Sequence, residues 1–154
     1  MNLRPATDAD AEAVAALINV AFRPERFFTN VDRTNPGEVR EYLQRGKFLV
    51  AEDEHGLAAS VYLEPRGDRF YLGLLSVDPQ RQRSGLGSWM MQQAEERCRA
   101  AGARAIELKL VNLRKELPEY YRRRGYVEMG TLPWPAQIPV SQPCHFITML
   151  KELV

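Results

Sequence analysis

Apolar residues recur at helical spacing at Val14, Leu17, Ile18, Ala21 and Phe22, which predicts one buried helix face over residues 8–22. Thr7 stands where an N-cap belongs, with Asp8 and Asp10 in the first turn, where the helix dipole favours carboxylates. Residues 1–5 read as a short strand before it. The segment 23–34 has no period and carries the pair Phe27-Phe28, so it is expected to be a loop. Asn35-Pro36 then opens a second helix, in which Val39, Tyr42 and Leu43 face one way and which Gly46 ends.

From Lys47 the period shortens. Phe48 to Ala51 and Leu57 to Glu64 read as hairpin partners around the turn 53–56, and 65–68 forms the next turn. Phe70 to Val77 is almost uniformly apolar, as expected of a central strand covered on both faces. Leu86, Met90, Ala94, Cys98 and Ala101 lie on one stripe of a third helix over 85–101, ended by Gly102. Ala105 to Val111 is a strand, Pro118 to Arg124 a short helix, Tyr126 to Met129 a strand and His145 to Leu150 the last one. Between these final strands, Pro133 to Pro143 holds four prolines and Trp134, a loop too long to be a mere connector. The order β-α-α-β-β-β-α-β-α-β-β predicts an α/β fold. Its sheet is mixed and mostly antiparallel, with helices on both faces, in a single domain over 1–154.

A length of 154 residues, 45% hydrophobic and 27% charged, suits a globular protein with a real core. The net charge of +1 gives no reason to expect nucleic acid or an anionic membrane as a partner. Two cysteines, Cys98 and Cys144, indicate no disulfide framework, and Cys98 reads as a core thiol. His145 follows Cys144 directly, so in a strand their side chains point to opposite faces, which argues against a Cys-His pair or a metal site. No signal-peptide run or transmembrane stretch is present, and a cytoplasmic location is expected.

The stretch Asp78-Pro79-Gln80-Arg81-Gln82-Arg83-Ser84-Gly85-Leu86-Gly87-Ser88 follows the buried strand and opens the third helix. Orphan N–H groups at such a helix start carry partial positive charge, and glycines let a phosphate approach them. Arg81 and Arg83 can add charge at the rim. A tight turn before a helix is the plainer reading of Gly-x-Gly, and neither a Walker A string nor a full G-x-G-x-x-G is present. The longer string Pro79-x-x-Gln82-x-x-Gly85-x-Gly87, after an apolar strand, resembles the coenzyme-A-binding motif of the GCN5-related N-acetyltransferase (GNAT) superfamily. The resemblance in element order runs from Asn2 to Leu150. It implies that Gln82, Arg83, Ser84, Gly85, Leu86, Gly87 and Ser88 hold the pyrophosphate of acetyl-CoA. It implies also that the pantetheine arm lies beside Leu75, Ser76 and Val77.

Tyr121-Arg122-Arg123-Arg124-Gly125-Tyr126 resembles the family's Tyr-x-x-x-Gly-Phe, which implies that Tyr121 protonates the departing thiolate. A tyrosine hydroxyl, with a pKa of about 10, stays protonated where a thiol near 8.5 leaves as thiolate. Tyr120 should point about 100° away around the helix. Asn112 matches the family's strand-end asparagine as a coenzyme ligand, although two extra residues separate it from Gly125. An attacking amine must lose a proton, and Glu64 or Glu107 is a candidate base. The resembled fold places the segments 23–34 and 131–143 over the acetyl end of the coenzyme, so Phe27, Phe28 and Trp134 are expected to wall the acceptor pocket, with Arg23, Arg26 and Asp32 beside them. The expected activity is transfer of an acetyl group to a primary amine of a small molecule or protein. A non-catalytic coenzyme-A-binding or sensor module is the alternative, and Trp134 at a homodimer contact is a rival reading of that residue.

Overall fold

The computed structural model describes residues 1–153. Its elements are β1 (Asn2–Pro5), α1 (Ala11–Ala21), α2 (Pro36–Arg45), β2 (Lys47–Asp53), β3 (Gly56–Arg66), β4 (Arg69–Val77), α3 (Leu86–Ala100), β5 (Ala105–Val111), α4 (Glu116–Arg123), β6 (Val127–Pro133) and β7 (His145–Glu152). The strands form one sheet in the order β1-β2-β3-β4-β5-β7-β6. Among the described residues only β4 and β5 pair in parallel; the other neighbours are antiparallel. No helix among the described residues is long and apolar enough to cross a membrane.

Local chemistry explains most boundaries. The Thr7 N–H donates to the Asp10 carboxylate at 2.7 Å, and a 3-10 turn over Asp8–Asp10 leads into α1. Asn35 Oδ1 accepts the Glu38 N–H at 2.9 Å, and Pro36 begins α2 where a missing donor costs nothing. Two boundaries depart from the pattern for a visible local reason. α4 begins at Glu116 rather than Pro118, because a proline in the first turn has no intrahelical bond to lose. β6 continues past Met129 to Pro133, held by the pairing of Thr131 with Ile147 and Leu132 with Phe146. A bulge between Glu128 and Gly130 breaks the alternation that would have revealed it.

Helices cover both sheet faces. On one, Val14 and Ile18 of α1 and Val39 of α2 pack on Phe48, Val50, Tyr62 and Leu74. On the other, Met90, Met91, Ala94 and Cys98 of α3 pack with Val61, Leu72, Ile106, Leu108, Tyr121 and Tyr126. β4 supplies Leu72 to one core and Leu74 to the other; residues two apart share a face in a regular strand, so the chain must turn over between them.

The feature that creates a site lies between β4 and β5. Their ladder holds only from Arg69–Tyr71 to Ala105–Glu107, after which the strands part. In the same stretch the β3–β4 register shifts between Ser60 and Tyr62, and Leu74 adopts φ 54°. A left-handed leucine costs roughly 1–2 kcal/mol, and such strain clusters at functional sites. The buried Ser76 hydroxyl donates to the Leu74 carbonyl at 3.0 Å and steadies the irregular turn of chain. The C-terminal half of β4 therefore reaches the phosphate turn with one edge unpartnered.

Candidate active site

A cavity of about 930 Å³ opens where β4 and β5 part. At one end its wall is the start of α3, with Gln82, Arg83, Gly85, Gly87 and Ser88. The Trp89 N–H is the first of α3 to bond back along the helix, to the Gly85 carbonyl at 3.0 Å. The N–H groups of Leu86, Gly87 and Ser88 precede it and have no intrahelical acceptor. Gly85 has φ 82°, which a side chain would resist, and the space where its Cβ would stand is open to 4 Å. This arrangement fits a pyrophosphate: orphan donors, a helix dipole and open approach.

The structure sorts the residues expected around the coenzyme. Leu75 and Val77 lie on the cavity wall, whereas Ser76 is buried between them. Leu86 is packed in the core, and the Ser84 hydroxyl bonds the Arg81 carbonyl, so these two shape the turn rather than line it. Arg83 stays on the cavity wall. Arg81 does not: it pairs with Asp53 in the β2–β3 turn, and the guanidinium holds that carboxyl down at about 2. Asn112 is also not brought to the cavity. Its Oδ1 accepts the His145 N–H at 2.8 Å, and its own N–H donates to the His145 carbonyl, closing the end of the β5–β7 ladder.

Tyr121 lies on the cavity wall from α4, almost fully buried, and no hydrogen bond holds its hydroxyl among the described residues. Burial, and then neighbouring Tyr120, push its pKa well above the usual tyrosine range. Tyr120 reaches the same cavity, with ring centroids 5.0 Å apart, but its hydroxyl meets Ser88 Oγ at 3.2 Å. The helical offset thus separates the two phenols: Tyr120 reaches the start of α3, while the Tyr121 ring packs in the core against Tyr126 at 5.7 Å.

Neither expected base lines the cavity. Glu64 accepts hydrogen bonds from Tyr62 and Arg66, each at 2.7 Å, and lies 3.5 Å from Arg45. Glu107 lies 3.5 Å from Arg66 and 3.6 Å from Arg69. The carboxylates on its wall are Glu25, Asp32 and Glu38, and of these Glu25 is the buried one, 3.3 Å from Arg114. Burial raises its pKa, against the opposing pull of Arg114 and Arg33. Glu25 sits in a 3-10 turn over Arg23–Glu25 within the segment without period, where Pro24 is the only local signal of fixed geometry.

The segments 23–34 and 131–143 do close on each other. The Ser141 N–H donates to the Phe28 carbonyl at 2.9 Å, and the Thr29 hydroxyl to the Pro139 carbonyl at 2.9 Å. Of the three expected aromatic walls, Trp134 lines the cavity, its indole N–H held by the Ile138 carbonyl at 3.1 Å. Phe28 is buried behind it, edge-on at 5.9 Å, and Phe27 is 56% exposed. Of the polar residues expected beside them, Arg26 and Asp32 reach the wall as an ion pair.

A donor-lined helix start joined to a strand gap by one cavity is the arrangement of an acyl-coenzyme-A site, and a family model described as "Acetyltransferase (GNAT) domain" matches residues 44–128. The chain belongs to the GNAT acetyltransferases. Its relatives include YwnH of Bacillus subtilis (strain 168), named "Putative phosphinothricin acetyltransferase", which is 24% identical over 148 residues, 90% of this chain and 91% of that one. The ribosomal-protein-S18-alanine N-acetyltransferase from Escherichia coli superposes with a TM-score of 0.79 at 15% identity, covering 99% of this chain and 93% of that chain. An aminoglycoside 6'-N-acetyltransferase complexed with coenzyme A gives 0.77 at 18% identity, with 100% and 98% covered.

Proposed function

We propose that this protein transfers an acetyl group from acetyl-CoA to a primary amine of a small molecule or protein, by direct attack with both substrates held in the one cavity. The observation that carries this reading is continuity. A single cavity runs from the orphan amides of α3, past the open edge of β4, to Tyr121 and the Trp134 wall. Glu25 is the base in this scheme, in place of Glu64: it receives the amine proton, directly or through a water, and its burial makes it a stronger base than an exposed carboxylate. Unpaired backbone donors along β4 face the carbonyl oxygen as negative charge develops there. Tyr121 then delivers its proton to the thiolate sulfur as the carbon–sulfur bond breaks. Orientation by the cavity supplies the rest of the rate.

The test is release of free coenzyme A thiol from acetyl-CoA over a panel of primary amines. Amine-dependent release with a mass gain of one acetyl group on the amine is expected. Tight coenzyme binding with no turnover on any amine would instead favour a coenzyme-A sensor.

A further inference from the structure

The acceptor half of the cavity contains more charge than amine binding requires. Each of its wall carboxylates already has a partner: Glu25 has Arg114 at 3.3 Å, Asp32 has Arg26 at 3.0 Å, and Glu38 accepts the Thr34 hydroxyl at 2.8 Å. Two cations on the same wall, Arg33 and Lys109, form no ion pair among the described residues. Aromatic faces hold them instead. The Arg33 guanidinium lies 5.4 Å from the Phe22 ring centroid, and the Lys109 ammonium 4.6 Å from that of Phe146. Such contacts fix a cation in place without neutralising it.

Both side chains are anchored from behind. Asn19 bonds both backbone groups of Thr34, at 2.9 and 3.0 Å, and so pins the chain next to Arg33. Phe146 stacks on Trp134 at 5.1 Å, which joins the Lys109 platform to the pocket wall. Burial and then the positive fields of Arg33 and Arg66 pull the Lys109 ammonium below its ordinary pKa, so the two wall cations lie close enough to act on one another. Arg66 has Glu64 and Glu107 as ion-pair partners; Arg33 feels Glu25 only at a distance, that carboxylate being paired with Arg114, and Lys109 pairs with no carboxylate among the described residues.

We infer that the acceptor is an amine bearing its own oxyanion, such as a carboxylate, which Arg33 and Lys109 clamp while the amine faces Glu25. This rests on the acetyl-transfer reading for the amine, but the anion clamp is measurable without turnover. The experiment titrates coenzyme-A-bound protein with N-acetylglycine and N-acetyl-L-leucine, each against its carboxamide, by calorimetry. The acids are expected to bind about tenfold tighter than the amides, as a charge-assisted contact provides. Arg33→Gln and Lys109→Gln should each erase most of that preference with unchanged coenzyme affinity, and Arg33→Lys should restore part of it. Equal or undetectable binding of acid and amide, or a preference that survives both substitutions, overturns the clamp. A parallel assay offers glycine, leucine and their amides as acceptors. If none is acetylated while the acids still bind through Arg33 and Lys109, the clamp stands and the transfer reading is what fails.

Discussion

In the proposed site the groups that would face the coenzyme are backbone donors of one helix turn, whereas those that would face the acceptor are side chains from two segments that meet only through the fold. Gly85 to Ser88 need nothing but a strand, a turn and a helix in sequence. The acceptor wall needs Thr29 to find Pro139, 110 positions away. A site made of main chain is written locally and tolerates substitution around it. A site made of side chains can be rebuilt for another acceptor with the sheet untouched, which is why fold similarity at 15–18% identity says nothing of the amine.

The largest expected effect belongs to the hinge between the two ends. Tyr121→Phe should lower kcat by about 10²–10⁴-fold, the range for a lost general acid, with coenzyme affinity unchanged. If Tyr120→Phe does this instead, the proton comes from the phenol beside Ser88. Next, Glu25→Gln should cost about 10²-fold at neutral pH. The pH profile sharpens that prediction. Glu25 must be ionised to accept a proton, so kcat/KM falls as pH drops through its pKa, which burial raises above 4.5. Glu25→Gln should abolish that acidic limb. On the alkaline side, the elevated pKa of Tyr121 keeps its proton in place, so its ionisation should cause no loss below about pH 10.

Trp134→Ala should raise the amine KM by about tenfold while leaving coenzyme binding nearly intact, because the indole touches only the acceptor half. Light scattering on the same variant checks the rival assignment: a changed oligomeric state with an unchanged KM would make Trp134 a subunit contact. The smallest effect should come from Asn112→Ala. It should leave coenzyme affinity within about twofold and lower Tm by a few degrees, as expected for a lost side-chain bond at a strand end.

The same contrast explains what could be read from the chain. Periodicity placed every strand and the four helices, since burial of β4 on both faces and the single stripe of α3 are local facts. Its failures were at Pro118, where a proline hides a helix start, and at Gly130, where a bulge hides the rest of β6. The glycine turn at the start of α3 was legible because glycine and position in the strand–helix junction define it. Glu25 was not, because its distinction is burial beside Arg114, 89 positions away. Glu64 looked suitable in sequence because nothing there records that Tyr62, Arg45 and Arg66 already occupy it. Arg81 and Asp53 conceal their pairing in the same way.

If the α3 N-terminus holds acetyl-CoA, a methyl added at Gly87 must weaken that binding. A methyl at that position would sit 3.6 Å from Val77 Cγ2, an ordinary contact on the cavity wall. Inside α3 the change should stabilise the helix by up to about 1 kcal/mol, so misfolding would not explain a binding defect. Calorimetric titration with acetyl-CoA should show affinity weakened about tenfold or more alongside an equal or higher Tm, and Gly85→Val, at φ 82°, should weaken it further. Full acetyl-CoA affinity in folded Gly87→Ala and Gly85→Val proteins would contradict the claim.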